Sequence, residues 1–416
     1  MEGPNNPRRN LFLLWLGQFI SGTGDSVFST CVGFLVAWLA TRQSAVDAEF
    51  AVGLTRTVDA LPFLLFGAYA GVLADRFSRR GLMLVSDLAR ALVLGLLPVL
   101  YFAGWLQWWV LPLAAFVTYS FSTLFNPARD ALIPELAGGA SLLKVNSIFQ
   151  TSGQLAFVVG AGLVGILLAP EVLGQSTGPD GIAWLLAYDA LSFAVSFFCI
   201  LALRVTPPPR SAATRESSLK QLRESLSAAI GDGRLRGLLF LTAMDNFFIM
   251  GPAIVGGMFL VRNFLGLETW AYGVFEACLA AGWMLGTLLV ARLGSNVRTG
   301  HLVLAGMLLD GLTYVPFLWL ESFGAFLVAI FVHGLAIPLI TVGRTTLIQR
   351  HYPRERLGRI FSLVAITVQG FTALSAFTVG ALLAVLGPRE LFALGGALGA
   401  LCGVIGLSFK ALRRAE

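Results

Sequence analysis

Long apolar stretches follow one another along most of the chain, and short polar segments separate them. A stretch of about 20 apolar residues can cross a bilayer as a helix. Barrel strands would alternate apolar and polar residues, whereas these stretches are continuously apolar, so helices are expected. The pattern predicts an all-α integral membrane protein with spans at 10–40, 47–74, 81–104, 107–129, 145–169, 181–204, 236–262, 269–292, 299–320, 323–345, 357–386 and 389–410.

Composition supports this interpretation. Apolar residues make up 56% of the 416 residues and charged residues 12%, which is about half the charged share of a soluble domain. The formal charge of +6 comes from basic residues in short loops between spans, so a nucleic-acid partner is excluded. The four cysteines lie in apolar segments without metal-ligand spacing and are expected to be buried thiols; they are Cys31, Cys199, Cys278 and Cys402. No metal site or cofactor is predicted.

The distribution of Lys and Arg predicts the orientation. With the N-terminus in the cytoplasm, the inside segments and their flanking helix ends hold 25 of the 29 basic residues. The outside loops hold three, namely Arg42, Arg262 and Arg389. Because positively charged loops stay in the cytoplasm, both termini are expected there, in a multi-pass protein of the cell membrane.

One connection, residues 205–235, is long and polar and contains three consecutive prolines. It is predicted to be a cytoplasmic linker between an N-terminal six-helix bundle, 1–204, and a C-terminal six-helix bundle, 236–416.

The two halves resemble each other. Ala51-Val-Gly-Leu matches Ala271-Tyr-Gly-Val at an offset of 220 residues, and Arg129-Asp-Ala-Leu-Ile matches Arg344-Thr-Thr-Leu-Ile at an offset of 215. Parallel six-helix repeats are typical of transporters that bind substrate between the repeats. The chain is therefore predicted to be a duplicated transporter.

A motif leaves the second span on the cytoplasmic side. It reads Gly71-Val-Leu-Ala-Asp75-Arg76-Phe-Ser-Arg79-Arg80. This run resembles the signature of the major facilitator superfamily, Gly-x-Leu-Ala-Asp-Arg-x-Gly-Arg-Arg, with Ser78 in place of the second Gly. The resemblance implies two six-helix bundles that alternate in access to the two sides of the membrane.

Other segments resemble the macrolide-efflux and enterobactin-exporter group of drug:proton antiporters. They are Leu14-Trp-Leu-Gly-Gln18 with Asp25, Ser86-Asp-Leu-Ala-Arg90-Ala, Leu124-Phe-Asn-Pro-Ala-Arg129, Asp189-Ala-Leu-Ser-Phe and Arg356-Leu-Gly-Arg-Ile-Phe-Ser362. The resemblance implies efflux of a drug-like or siderophore-like molecule driven by proton entry. Antiporters of the superfamily often have a Gly-Pro-rich motif in the fifth span, where this chain has Ala161 in the Pro position.

The Asp75 loop is predicted to act as a conformational latch. The helix dipole stabilises a carboxylate near the N-terminus of another helix. In the family that helix is span eleven, which begins here near Gly358. Arg79 is expected to pair with a carboxylate such as Asp130. A purely topogenic loop would explain the arginines Arg76, Arg79 and Arg80 but not Gly71 and Asp75.

Ionisable residues inside predicted spans are functional candidates, because each is costly at bilayer depth. Asp25 has small neighbours and no basic residue at i±3 or i±4, so it is the first proton-coupling candidate; a structural carboxylate is the alternative. Arg56 and Asp59 stand at i, i+3 and are expected to pair. Further proton-coupling candidates are Asp59, Asp245 and Glu276. Structural roles are expected for Asp189, Asp310 and the pair Asp87–Arg90.

Substrate contacts are sought on the cavity-lining spans. Asp245, Asn246 and Phe247 combine a carboxylate, an amide and an aromatic ring, which suits a cationic or amphiphilic ligand. Arg56 could bind substrate if its pairing opens. Polar side chains on spans five and eleven could line the cavity or join helices; they are Gln150, Gln154 and Gln369. His333 is the single histidine inside a predicted span, and one histidine makes a poor proton relay by itself.

Three classes of function compete. An enzyme would need a clustered nucleophile or metal set, and the sequence contains no Gly-x-Ser-x-Gly, His-Glu-x-x-His or P-loop Lys. A monomeric secondary transporter that exports a small amphiphile, with protons and membrane lipid as its other partners, fits the repeat and the motif. The alternatives are a flippase-like or facilitated transporter of a lipid-like amphiphile, and a non-transporting receptor or assembly factor.

Overall fold

The computed structural model describes residues 6–43, 48–168, 178–205, 231–267, 269–293, 297–383 and 385–414. All regular structure in these ranges is helical. The helices are α1 Pro7–Gln43, α2 Ala48–Arg76, α3 Arg79–Phe102, α4 Val110–Leu136, α5 Leu142–Leu168, α6 Gly178–Leu201, α7 Gly233–Phe248, α8 Thr269–Arg292, α9 Thr299–Tyr314, α10 Phe323–His351, α11 Arg354–Leu382, α12 Pro388–Gly406 and the short α13 Lys410–Arg413.

Within the described ranges, ten helical segments are long and apolar enough to cross a membrane. The predicted all-α membrane class is thereby confirmed, and the count of twelve spans stays a prediction. The helices α2 and α4 are not among the ten.

Large apolar side chains lie on the outside of the helices and polar ones lie within. Leu92 and Phe198 are 65% and 64% exposed, whereas Asp87, Asp189 and Asp310 are almost fully buried. In water this distribution would be unfavourable, but lipid solvates apolar surface at no cost. Polar side chains that need partners are therefore gathered inside the bundles.

The chain folds into two compact units. Of the described residues, unit 1 takes those within Met1–Gly138, Ser152–Ser218 and Glu355–Ser362. Unit 2 takes those within Gly139–Thr151, Leu219–Arg354 and Leu363–Glu416. The start of α5 thus belongs to unit 2, and the first turns of α11 belong to unit 1.

Glycines bring helices of unit 2 into backbone contact. A Cβ atom on Gly282 of α8 would overlap the carbonyl oxygen of Phe331 on α10, and one on Gly334 of α10 would lie 2.5 Å from the carbonyl oxygen of Leu279. The glycine Gly311 of α9 meets α12 in the same way. Small residues allow such close packing where no hydrophobic effect drives association.

Beyond its regular part, α7 continues in wide turns. The segments Pro252–Gly256 and Leu260–Phe264 are π-helical. Proline has no N–H to donate, so the helix cannot continue its regular hydrogen bonding at Pro252. Ser375 of α11 supports this break, because its hydroxyl donates to the carbonyl of Phe247 and accepts the N–H of Gly251 at 2.8 Å.

The start of α7 is fixed by Asp232. Its Oδ1 accepts the N–H groups of Arg234 at 2.8 Å and Leu235 at 3.4 Å, which caps the helix. Its Oδ2 accepts the hydroxyl of Tyr352, after α10, at 2.7 Å. Burial raises the pKa of Asp232, but these donors, together with the Arg234 charge, outweigh burial and hold the pKa below its usual value.

Asp232→Ala is expected to destabilise the protein by about 1–2 kcal/mol, because it removes the cap and the Tyr352 hydrogen bond. The carboxylate has a lower pKa folded than unfolded, so its contribution is present above about pH 4 and is lost as pH falls through the folded-state pKa. Thermal unfolding in detergent should therefore separate the variant from wild type at pH 7 and much less at pH 3. Asp232→Asn keeps an acceptor for the cap and should lose less than half as much. Equal stability of Asp232→Ala and wild type at pH 7 would contradict the assignment.

Candidate functional site

A buried arginine organises the polar interior of unit 1. Nη2 of Arg90 on α3 lies 2.5 Å from Oδ1 of Asp87, and both side chains are at most 5% exposed. Nη1 donates to the hydroxyl of Ser122 on α4 at 3.3 Å. The guanidinium lies 4.7 Å from the ring centroid of Phe125 on α4 and 4.2 Å from that of Phe193 on α6. The predicted Asp87–Arg90 pair is confirmed, and stacking on two rings shields its charge.

Two further carboxylates lie near this arginine. Asp189 on α6 sits so close to α1 that a Cβ atom on Gly24 would overlap its Oδ1. The next residue, Asp25, is close enough to interact electrostatically with Asp189, Arg90 and Arg129. Inspection of α1 alone found no basic neighbour for Asp25, whereas α3 and α4 supply two. Asp25 is half-buried and Asp189 is buried.

The predicted latch motif covers the end of α2 and the start of α3. The side chains of Asp75 and Arg76, and the surroundings of Gly71, lie outside the described part of the structure. Arg79 forms an ion pair with Glu135 and donates to the carbonyl of Ala131 at 2.9 Å.

The other members of the motif also have described partners. Arg80 donates to the carbonyls of Ile200 and Leu201 at the end of α6. Asp130, the expected partner of Arg79, accepts from Arg129 at 2.9 Å. Sequence reasoning missed Glu135, one helical turn beyond Asp130. Its position was readable, but its contact with Arg79 depends on the angle at which α3 meets α4. The predicted pairing of Arg79 with Asp130 stays a prediction.

Arg129 also joins α4 to α1, because its Nη1 donates to Oε1 of Gln18 at 3.0 Å. Its counterpart by the 215-residue offset, Arg344 of α10, donates to the hydroxyl of Thr242 on α7 at 3.3 Å. The two duplicated arginines thus make equivalent contacts in their own units, from α4 to α1 and from α10 to α7.

Half-buried aromatic and acidic side chains share one region of unit 1. Tyr119 of α4 contacts Phe28 of α1 and Phe63 of α2, with ring centroids 6.4 and 6.5 Å apart. Asp59 of α2 is half-buried. The side chain of Arg56 is outside the described residues, so its pairing with Asp59 stays a prediction.

Four titratable side chains converge inside unit 2. The carboxyl groups of Asp245 on α7 and Asp310 on α9 lie within hydrogen-bond reach of each other. Oδ1 of Asp310 is 3.6 Å from Nδ1 of His333 on α10. The His333 ring stacks on that of Tyr314, with centroids 3.9 Å apart. Asp310, His333 and Tyr314 are at most 2% exposed, whereas Asp245 is half-buried.

The other candidates of unit 2 make contacts within their own helices or with α11. Asn246 donates to the carbonyl of Thr242 at 2.7 Å and accepts from Thr372 of α11 at 3.2 Å, so it joins α7 to α11. Phe247 packs edge-to-face on Phe248 with centroids 5.1 Å apart. Glu276 of α8 accepts a hydrogen bond from Tyr272 one turn earlier.

A polar stripe on α5 was only partly recognised from sequence. Gln150 and Gln154 are half-buried, as is Gln369 on α11. Asn146, one turn before Gln150, is 3% exposed and donates to Thr346 Oγ1 at 3.0 Å and to Gln349 Oε1 at 2.6 Å. The i+4 spacing of Asn146, Gln150 and Gln154 was the signal available in the sequence. The two hydrogen bonds of Asn146 join the start of α5 to the end of α10 within unit 2.

Comparisons with known proteins agree with this architecture. The model of the Major Facilitator Superfamily matches residues 14–369. Macrolide efflux protein A of Streptococcus pyogenes is 22% identical over 366 residues, which cover 87% of this chain and 86% of that protein. The putative bacilysin exporter BacE of Bacillus subtilis is 23% identical over 363 residues, which cover 85% of this chain and 84% of that protein.

Solved structures with little sequence identity share the fold. The human organic anion transporter MFSD10 superposes with a TM-score of 0.76 at 14% identity and covers 96% of this chain and 99% of its own. The proton:xylose symporter XylE superposes with a TM-score of 0.71 at 13% identity and covers 97% and 95%. At such identity the likeness establishes the arrangement of helices and leaves the substrate open.

Proposed function

Since the chain belongs to the major facilitator superfamily, we propose that it exports a small amphiphilic molecule in exchange for protons, by alternating access. It is a multi-pass membrane transporter and not an enzyme. The proposed form is a monomer without cofactor or metal, with twelve spans in bundles 1–204 and 236–416 that the linker 205–235 connects.

The observation that carries proton exchange is a set of carboxyl groups at membrane depth in both units. Asp25 in unit 1 and Asp245 in unit 2 are each half-buried among apolar helices. Placing such a group inside a membrane costs several kcal/mol on insertion scales, so these groups are expected to have a function. Protonation and release at these sites can couple export to proton entry. Asp25, Asp59, Asp245 and Glu276 are the proposed carriers.

The proposed substrate is a cationic amphiphile. Tyr119 and Phe63 supply half-buried rings in unit 1, and Asp25 and Asp59 supply half-buried carboxylates in the same unit. Rings bind the apolar body of such a ligand and can also attract its cation. The relatives named for efflux of macrolides and export of bacilysin support an exported, drug-sized substrate.

Flux in proteoliposomes tests this function. Purified protein is reconstituted with an acidic lumen, and uptake of a radiolabelled macrolide is followed, with protein-free liposomes to correct for passive trapping of a weak base. Protein-dependent accumulation that a protonophore abolishes is expected. Accumulation equal to that of protein-free liposomes would count against export of this substrate class.

The proposed location is the cell membrane with both termini in the cytoplasm, as the distribution of Lys and Arg predicts. Ser217 lies in the polar segment 205–235. A Ser217→Cys variant, in a background where the native cysteines are replaced by alanine, should react with a membrane-impermeant maleimide only after the cells are opened. Labelling of intact cells would reverse the orientation. A cysteine in the outer turn at Gln107 is the positive control for access from outside.

A further inference from the structure

In the acidic pair of unit 2, one oxygen of each carboxyl group has no hydrogen-bond donor among the described residues. Among the described residues, no hydrogen-bond partner meets Oδ1 of Asp245, Oδ1 of Asp310 or the hydroxyl of Tyr314. Carboxylates accept hydrogen bonds and cannot donate them, so two ionised groups in contact leave both unsatisfied and repel each other. A single proton removes the repulsion, because the O–H of one group then donates to an oxygen of the other.

His333 does not supply that proton. The Thr313 hydroxyl is 2.8 Å from the carbonyl oxygen of Asp310, to which it can donate. Its oxygen also lies 2.9 Å from Nδ1 of His333, and the tautomer of the ring decides which of the two donates. In either tautomer Nδ1 stays 3.6 Å from Oδ1 of Asp310, which is too long for a hydrogen bond.

The charged and titratable groups described around the pair come from two further helices, α8 and α10. Arg344 of α10 interacts electrostatically with Asp245. Glu276 and Tyr272 of α8 act on Tyr314, beside His333. The stretches 363–382 of α11 and 391–406 of α12 contain no charged residue. With one proton the carboxyl pair carries one negative charge, which the single nearby arginine balances.

The duplicated unit shows what is special here. By the 220-residue offset, Asp245 corresponds to Asp25 and Asp310 corresponds to Arg90. At the corresponding position unit 1 therefore has a guanidinium and unit 2 has a second carboxyl group. Each carboxylate also has a neighbour of the other kind, because Asp189 lies near Asp25 and Arg344 lies near Asp245. The difference is that in unit 2 the second carboxyl group lies within hydrogen-bond reach, which favours a shared proton.

From these contacts we propose that Asp245 and Asp310 form a proton-binding site that holds one proton between their carboxyl groups. The half-buried Asp245 exchanges this proton with the surroundings, and the buried Asp310 retains it. Of the other titratable groups, His333 lies beside Asp310 and stacks on Tyr314. The role in export rests on the proposed function, whereas the proton site itself does not.

Infrared difference spectroscopy tests the site without any substrate. The purified protein is titrated in detergent, and the C=O stretching band of protonated carboxylic acid is followed. Wild type should show a band that disappears on raising the pH, and the double variant Asp245→Asn/Asp310→Asn should lose the component of the band that the pair contributes. Glu321→Gln removes an exposed carboxylate between α9 and α10 and should leave the band unchanged.

Single variants keep the test valid if the double variant fails to fold. Asp245→Asn changes a half-buried residue and should shift the midpoint of the remaining band by about one pH unit or more, since coupled sites share their titration. Absence of the band in wild type, or its persistence unchanged in both the single and the double variant, would overturn the proposal. So would a band that only Asp25→Asn removes.

Transport assays provide a second test, of whether the pair couples protons to export. In proteoliposomes with an acidic lumen, Asp310→Asn should accumulate no labelled macrolide, while exchange of labelled for unlabelled macrolide without a pH gradient persists. Asp310→Glu should restore part of the accumulation. Full gradient-driven accumulation by Asp310→Asn would refute coupling through the pair. If wild type itself transports no macrolide but shows the titrating band, the export proposal fails for this substrate and the proton site stands.

Discussion

Replacement of Arg90 by leucine is expected to destabilise unit 1 by about 3–5 kcal/mol, the usual cost of removing one partner from a buried ion pair. Asp87 would lose a partner 2.5 Å away, and Asp25 and Asp189 would lose the cation they share. Equilibrium unfolding in mixed micelles, followed by tryptophan fluorescence, measures the loss.

Two further variants separate charge from packing. Arg90→Leu/Asp87→Leu removes both partners and should recover a large part of the stability, because no unpaired charge then remains between them. Arg90→Lys keeps the charge but loses the planar group that stacks on Phe125 and Phe193, so an intermediate value is expected.

Arg8→Leu changes an exposed arginine of the same unit and should stay within about 0.5 kcal/mol of wild type. A loss below about 1 kcal/mol for Arg90→Leu would mean that water or another group already compensates the carboxylates.

Asp75→Asn is expected to leave the protein folded and inserted but to reduce transport sharply. The proposed partner of this carboxylate is the N-terminus of α11, whose N-cap residue, Pro353, offers no side-chain hydrogen bond to the first turn. The first turns of α11 belong to the same compact unit as residues 71–80. Attraction of a carboxylate to a helix N-terminus contributes up to about 2 kcal/mol in a partly buried site.

Loss of that amount would change the ratio of two conformations about 30-fold. Macrolide flux in proteoliposomes at equal protein content measures the effect, and maleimide labelling of cysteines placed on either side of the membrane measures the conformational shift. Glu321→Gln is the matched control, because it neutralises a carboxylate outside the motif. Flux of the Asp75→Asn variant at the wild-type rate would remove the latch role.

The helices could be predicted from sequence because bilayer thickness fixes the length of an apolar run. The predicted spans 81–104 and 269–292 correspond to α3 at Arg79–Phe102 and α8 at Thr269–Arg292. The wide turns of α7 were not anticipated. Pro252 marks the break, but whether a proline kinks, ends or widens a helix depends on the donors nearby, here Ser375 on another helix.

Most of the charged residues of the site could be identified from the sequence, but several of their contacts with other helices could not. Asp87 and Arg90 are one turn apart, so their pairing was predictable. The approach of Arg90 to Asp25 and Asp189 depends on the packing of α1, α3 and α6, which periodicity does not specify. Asp310 was assigned a structural role because it lies on a peripheral span, yet its side chain reaches Asp245.

The π-helical continuation of α7 differs in its packing from the neighbouring helices. The glycine contacts at Gly282, Gly334 and Gly311 leave no space for those helices to slide, since their backbones already touch. A π-helical turn, in contrast, contains one residue more than a regular turn. Conversion of Pro252–Gly256 to regular α-helix would therefore advance every later residue by one position, a rotation of about 100°. A change between the two helical forms would therefore turn the side chains beyond Pro252, while the helices packed at these glycines could keep their contacts.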